Sequence, residues 1–324
     1  MAEAATTPIE PVSLEQFQAA QKRIAGSAIR TPLLRLNTDG DAEIWLKLEN
    51  LQPIGSFKMR GAGNAMRLAP AQTLAKGVYT ASAGNMAQGV AWNARALGGA
   101  CTVFVPETAP QIKLAAIERL GGRIVKLPFE RWWQVLLDHG YPGTEGLFIH
   151  PVSDPAVIAG NGTAGLEILE DLPDPDAILA PYGGGGLSCG IACAMRALRP
   201  QARVYACEVT TAAPFAASLA AGKPVAVTYT PSFVDGIGGR SMLPEMWPLA
   251  KDVLAGSLVV SIAEVAAAVK LLAERHRVIA EGAGAASVAA ALQGVPGARK
   301  IVCVVSGGNI DAEKLAAILR GEVP

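Results

Sequence analysis

Short, nearly unbroken apolar runs alternate along this chain with Ala-rich segments whose apolar positions recur at helical spacing. The clearest runs are Glu43–Leu48, Gly77–Thr80, Cys101–Val105, Arg123–Leu127, Ala177–Ala180, Arg203–Glu208 and Ile301–Val305. Several lack the polar alternation of a half-exposed sheet, which predicts parallel strands covered by helices on both faces. Strand–helix alternation sustained over 324 residues predicts an open, twisted α/β sheet architecture. Ahead of it, residues 1–12 are small, polar and Pro-containing and read as a loose lead-in. Ser13 reads as the N-cap of a helix through Ile24, with Glu15 in its first turn. The stretch from Gly77 to Pro151 holds its own strand–helix–strand–helix–strand series. Two domains are therefore expected: a large one from residues 1–76 plus 152–324, and a small inserted one from 77–151.

Composition narrows the partners. Hydrophobic residues make up 51% and charged residues 17%, so a buried core is readily built and disorder is not expected. Lys plus Arg equal Asp plus Glu at 28 each. Without a basic field or a polybasic run, neither a nucleic-acid nor a membrane surface is expected. There is no basic-then-apolar leader and no apolar stretch long enough to span a bilayer, so a cytoplasmic protein is expected. Cys101, Cys189, Cys193, Cys207 and Cys303 form no disulfide framework, in keeping with a reduced compartment. Cys189 and Cys193, four apart on a predicted helix, read as small buried hydrophobes rather than metal ligands.

Four loops at the ends of apolar runs carry candidate chemistry. In Gly55-Ser56-Phe57-Lys58-Met59-Arg60-Gly61 a lysine opens a helix beside glycines. A helix N-terminus depresses an ammonium pKa and frees an amine for a Schiff base, although a solvated helix-start lysine would look the same. Ser82-Ala83-Gly84-Asn85-Met86 is either an anion-binding nest suited to a carboxylate or an ordinary N-cap. In Tyr182-Gly183-Gly184-Gly185-Gly186-Leu187-Ser188, consecutive glycines let backbone N–H groups converge on a phosphate, without dinucleotide or P-loop spacing. Ser306, in Val305-Ser306-Gly307-Gly308-Asn309, ends the last run, where such sheets bind ligands, or simply makes a turn.

Together, in this order and spacing, the loops resemble the fold-type II pyridoxal-phosphate (PLP) enzymes, specifically the threonine/serine dehydratase and serine racemase family. The resemblance runs from about residue 25 to the C-terminus. It implies the tryptophan synthase beta-like fold, with the cofactor in the cleft between two lobes, and a homodimer. It implies that Lys58 forms the Schiff base and moves the substrate α-proton, that Phe57 lies against the pyridine ring and that Asn85 bonds its 3′-oxygen. Gly183, Gly184, Gly185, Gly186 and Leu187 would cradle the phosphate, and Ser306 would face the pyridine nitrogen. Ser82, Ala83, Asn85 and Met86 would receive the substrate carboxylate. The implied reaction is elimination of water from a β-hydroxy amino acid to a 2-oxo acid and ammonia, with no nucleic-acid or membrane partner.

Departures from the family pattern sharpen the expectation. Ala83 stands where the racemases carry a second serine on the opposite cofactor face, which favours dehydration over racemisation. Met86 replaces the usual His. Phe129-Glu130-Arg131-Trp132-Trp133 concentrates aromatics in an aromatic-poor chain. Either these aromatics simply pack the small lobe, or Met86 and one or more of them, Trp132 and Trp133 included, accept a bulky β-substituent such as that of 3-phenylserine, with Arg131 helping to hold the carboxylate. Of the family's acidic metal ligands Glu208 is present, but the second is replaced near Pro214, so no divalent metal site of that pattern is expected. The chain ends soon after Ser306, so no regulatory C-terminal domain is expected. His139, His150 and His276 fall in no motif, and Asp235 and Arg240 sit in a Gly-rich loop without an assigned role.

Overall fold

The computed structural model describes residues 7–38 and 40–324, so the expected lead-in lies partly outside the described residues. Ten strands are present among them: β1 (Leu33–Arg35), β2 (Glu43–Lys47), β3 (Val78–Ala81), β4 (Cys101–Pro106), β5 (Gly122–Leu127), β6 (Leu147–Phe148), β7 (Ala177–Pro181), β8 (Arg203–Val209), β9 (Gly256–Val260) and β10 (Lys300–Val304). They form a six-stranded sheet ordered β1-β2-β10-β7-β8-β9 and a four-stranded sheet ordered β5-β4-β3-β6. All pairings are parallel except that of the edge strand β1 with β2. The seven apolar runs all became strands, within a residue or so at each end. The short β1 and β6, and the partly exposed β9, went unpredicted.

The missing polar alternation has a direct cause. In β7 and β10, Ile178, Ala180, Val302 and Val304 face one hydrophobic layer, built with the helices Pro155–Asp171 and Ser188–Leu198. Ala177, Leu179, Ile301 and Cys303 face another, built with Ile262–Leu271 and Gly282–Leu292. Both faces are covered, so every position of β7 is buried. The helix Pro155–Asp171 runs backbone to backbone against Lys58–Leu68: a Cβ at Gly160 would stand 2.4 Å from the Arg60 carbonyl oxygen.

Local signals set the helix starts. Ser13 and Gln16 form a capping box at Leu14–Ile24, as Ser261 and Glu264 do at Ile262–Leu271. The Asp154 carboxylate accepts from the Ala156 and Val157 amides at the head of Pro155–Asp171. All five cysteines are buried and unbridged, with Cys189 and Cys193 in one hydrophobic layer. No helix among the described residues is long and apolar enough to cross a membrane.

Candidate active site

The strands of both sheets end at one cleft of about 400 Å³, lined by all four loops. The first and last loops are stitched together. Ser56 and Gly307 form an antiparallel bridge, the Phe57 amide donates to the Ser306 carbonyl at 3.0 Å, and the Gly308 amide to the Gly55 carbonyl at 2.9 Å. This fixes Lys58, the first residue of its helix, against the end of β10.

Lys58 Nζ donates to the Pro151 carbonyl at 2.8 Å and lies 5.0 Å from the centre of the Phe57 ring. Burial lowers its pKa to about 8, against the opposing pull of Glu281. A usable fraction of free amine near neutral pH follows. Behind it, Arg60 sits in a fully buried charge network. Its guanidinium forks onto Glu49 (2.8 and 2.7 Å) and Glu167 (2.7 and 2.7 Å), and Lys47 Nζ meets Glu167 at 2.5 Å. Two cations balance two carboxylates, which is the condition for burying such groups at all.

Gly183–Gly186 link β7 to the helix Ser188–Leu198 and line the same cleft at that helix's N-terminus. A Cβ at Gly184 would stand 2.6 Å from two side-chain carbons of Val152, and Gly185 has φ +97°, so side chains are excluded from the turn. What remains is a backbone cradle for an anion. On the small-sheet side, Ser82-Ala83-Gly84 joins β3 to the helix Asn85–Ala96, with the Gly84 amide donating to Ser82 Oγ at 3.2 Å. Ser306 is buried at the cleft wall.

Asn85 is held from both sides. Its Nδ2 donates to both oxygens of Glu281, at 2.8 and 3.1 Å, and its Oδ1 accepts from Asn309 at 2.8 Å. Glu281, buried at the start of the helix Gly282–Leu292, has its pKa raised to about 7 by burial and by the nearby Asp235, partly offset by the Asn85 hydrogen bond and by Lys113. Glu281 went unpredicted. A lone acid ahead of a Gly-Ala-Gly helix start was its only signal in the sequence.

The remaining candidates divide. Phe57, Ala83, Met86, Leu187 and Trp132 line the cleft, and Trp132 Nε1 donates to the Phe104 carbonyl at 3.2 Å. Arg131 is exposed and Trp133 packs between two hydrophobic layers; neither lines the cleft, because adjacent residues of a helix point roughly 100° apart. Asp235 does line it and pairs with Lys113 at 2.9 Å, whereas Arg240 is exposed away from it. Glu208 caps a helix. Its oxygens accept from the Phe215 and Ala216 amides at 2.9 and 2.7 Å and from Ser257 Oγ at 2.6 Å. Among the described residues no cluster of His, Cys, Asp and Glu is arranged to hold a metal ion.

Comparison with known proteins agrees with this arrangement. Residues 24–307 match the family described as pyridoxal-phosphate dependent enzyme. The chain belongs to that family. It is 41% identical over 312 residues to an L-threonine ammonia-lyase of Geobacter sulfurreducens, covering 94% of this chain and 77% of that protein. The structure of maize serine racemase superposes with a TM-score of 0.89 at 31% identity, covering 96% of this chain and 98% of that one. Serine racemase from Dictyostelium discoideum gives 0.84 at 34% identity, covering 93% and 100%. The fold is thus that of the fold-type II PLP enzymes, and the cofactor is pyridoxal phosphate. The cleft fits it on its own terms: a lysine amine with a depressed pKa, a side-chain-free anion cradle, a flat aromatic ring and a buried hydroxyl all line it.

Proposed function

We propose that this chain is a dehydratase, an ammonia-lyase that removes water from a β-hydroxy α-amino acid of the threonine/serine type and releases a 2-oxo acid and ammonia. The observation that carries the reading is the placing of Lys58: the first residue of its helix, bonded through Nζ to the Pro151 carbonyl at 2.8 Å, it lines the same cleft as the glycine loop. When bound there, pyridoxal phosphate supplies the electron sink for the charge released at the substrate Cα. Lys58 would hold the cofactor covalently and, once displaced by substrate, take the α-proton at Nζ. The amides of Gly183–Leu187 would hold the phosphate. Asn85, oriented by Glu281 and Asn309, would meet the ring oxygen, and Ser306, a neutral hydroxyl, the ring nitrogen. Ser82, Ala83 and the amides at the head of Asn85–Ala96 would receive the substrate carboxylate.

Ala83 supports dehydration over racemisation, since its methyl cannot return a proton to the opposite face. Met86 and Trp132, the two largest apolar side chains that line the cleft on the small-sheet side, support a preference for a bulky β-substituent such as phenyl. The same proposal takes in a homodimer and the division into domains 1–76 plus 152–324 and 77–151, which keeps each sheet within one unit. The test is release of ammonia and 2-oxo acid by the purified yellow protein from L-threonine, L-serine and L-threo-3-phenylserine, with loss of the visible absorption and of activity in Lys58→Ala. Interconversion of L- and D-serine faster than ammonia release, or a new amino acid formed when a thiol is added, would overturn the dehydratase reading. Preference for threonine or serine would remove the bulky-substrate part alone.

A further inference from the structure

The segment that carries the chain from β6 of the small sheet to the buried helix Pro155–Asp171 contains a histidine with an unusual set of bonds. His150 is 2% exposed. Its Nδ1 accepts the Val152 amide at 3.1 Å and the Ser153 amide at 2.7 Å. A ring nitrogen that accepts two backbone N–H groups carries no proton, so the imidazole is neutral. In agreement, burial and the neighbouring His139 lower its pKa to about 3, only partly opposed by Glu245. Between His150 and those two amides the chain makes a tight turn, and the carbonyl inside it is that of Pro151, the acceptor of Lys58 Nζ.

The ring is itself braced. His139 stacks on it with centroids 4.4 Å apart at 16°, and Phe148 meets its edge at 5.9 Å. His139 adopts φ +50°, just past the end of the helix Phe129–Leu137, where a left-handed residue commonly ends a helix. Its Nε2 lies 3.6 Å from Glu245 Oε1, on a 3₁₀ turn before the helix Trp247–Val253, and 3.5 Å from Ser153 Oγ. His139, two residues past the helix Phe129–Leu137, thus links the turn to Glu245.

We propose that His150 is a positioning residue for Lys58: by accepting the Val152 and Ser153 amides it holds the turn that aims the Pro151 carbonyl at the lysine nitrogen. The carbonyl takes one N–H of the amine and leaves the lone pair directed into the cleft, where it must attack the cofactor aldehyde and receive a proton. Without the turn the side chain keeps its length but loses its bearing. The inference rests on the reading of Lys58 as the reactive amine.

Two variants separate acceptor from filler. His150→Asn offers an oxygen near the Nδ1 position but no ring; His150→Phe keeps the ring and its stacking but has no acceptor. The full-length proteins are stripped of cofactor and checked for parental circular dichroism. Pyridoxal phosphate is then added back, and its capture is trapped by borohydride and read on the Lys58 peptide. Steady-state kcat and KM are measured on the reconstituted enzymes. The expected result is that His150→Phe captures the cofactor about tenfold more slowly, the scale of one lost hydrogen bond. Its kcat should fall by a similar factor with KM within about twofold, and His150→Asn should stay within about threefold of the parent in both. Parental rates in His150→Phe, or equal losses in the two variants, would overturn the proposal. Failure of the parent itself to capture the cofactor at Lys58 would instead sink the functional reading on which it rests.

Discussion

The charge network beneath Lys58 makes a quantitative prediction. Arg60, Lys47, Glu49 and Glu167 are all buried, with Arg60 at 1% exposure between the two carboxylates. Arg60→Met fills much of the same volume but leaves Glu49 and Glu167 facing a single cation, Lys47, whose Nζ bonds Glu167 and the Thr31 carbonyl rather than Glu49. Glu49 is then a buried carboxylate bonded to Thr31 Oγ1 at 2.6 Å and Gln52 Nε2 at 3.2 Å, with no guanidinium. Breaking a buried pair in this way costs about 3–5 kcal/mol. For a chain of 324 residues that lowers Tm by about 4–7 °C.

The double variant Arg60→Met/Glu49→Gln removes the stranded charge and keeps an acceptor for Thr31. Lys47 and Glu167 remain as a neutral pair. If burial of an unbalanced charge is the dominant cost, the double variant recovers at least half of the lost Tm, although each change alone destabilises. Thermal unfolding at one fixed, saturating cofactor concentration measures this, since cofactor binding otherwise shifts Tm by mass action. Additive losses in the double-mutant cycle would refute the reasoning, and so would Arg60→Met unfolding within about 2 °C of the parent.

Three further outcomes are expected. The folded-state pKa of Glu281, raised to about 7, lies above its ordinary 4.5, so the native state binds more protons than the unfolded state between those values and stability falls as pH rises through that window. In cofactor-stripped protein Glu281→Gln should therefore match the parent near pH 4.5 and exceed it above pH 7, by up to about 3 kcal/mol, as read from urea unfolding at several pH values; an unchanged difference across the series would count against a buried carboxylate. Gly184→Ala, whose methyl meets Val152 at 2.6 Å, should weaken cofactor affinity at least about tenfold by absorbance titration, with Val152→Ala restoring part of the loss in the double variant. Trp132→Ala should lower kcat/KM for phenylserine relative to threonine, whereas Trp133→Ala should leave that ratio unchanged while lowering Tm; equal effects on the ratio would remove Trp132 from the specificity argument.

The sheet cores were legible because their strands are simple. β7 and β10 are buried on both faces, so each reads as an apolar run, and the run's end marks where a loop must enter the cleft. Lys58, Gly183–Gly186, Asn85 and Ser306 sit at such ends. β6 was invisible for the opposite reason: it is two residues long and half-buried, and it pairs only with β3. The tryptophans expose a different limit. Composition marked 129–133 as unusual, but only the helix phase decides that Trp132 reaches the cleft while Trp133 turns into a core layer and Arg131 into solvent.

Glu281 and His150 were missed for a shared physical reason. Neither belongs to a loop whose composition advertises a ligand, and each acts on a group contributed from far away in sequence: Glu281 on Asn85, His150 through Pro151 on Lys58. What makes them consequential is burial together with specific acceptance. Glu281 accepts from the Asn85 amide with both oxygens and from the Asn309 backbone N–H, and His150 takes two hydrogen bonds from successive backbone N–H groups. An acceptor inside a low-dielectric wall is worth more than the same group in water, and its loss leaves a donor unpaired. Lys58 therefore has its reactivity set from two directions. The Glu281 charge pulls its pKa up against burial, while the Pro151 carbonyl sets where its lone pair points. The first acts through distance and survives small shifts of the chain. The second acts through direction and does not, so changes at the His150 turn should show in rate before they show in the pH dependence of Lys58.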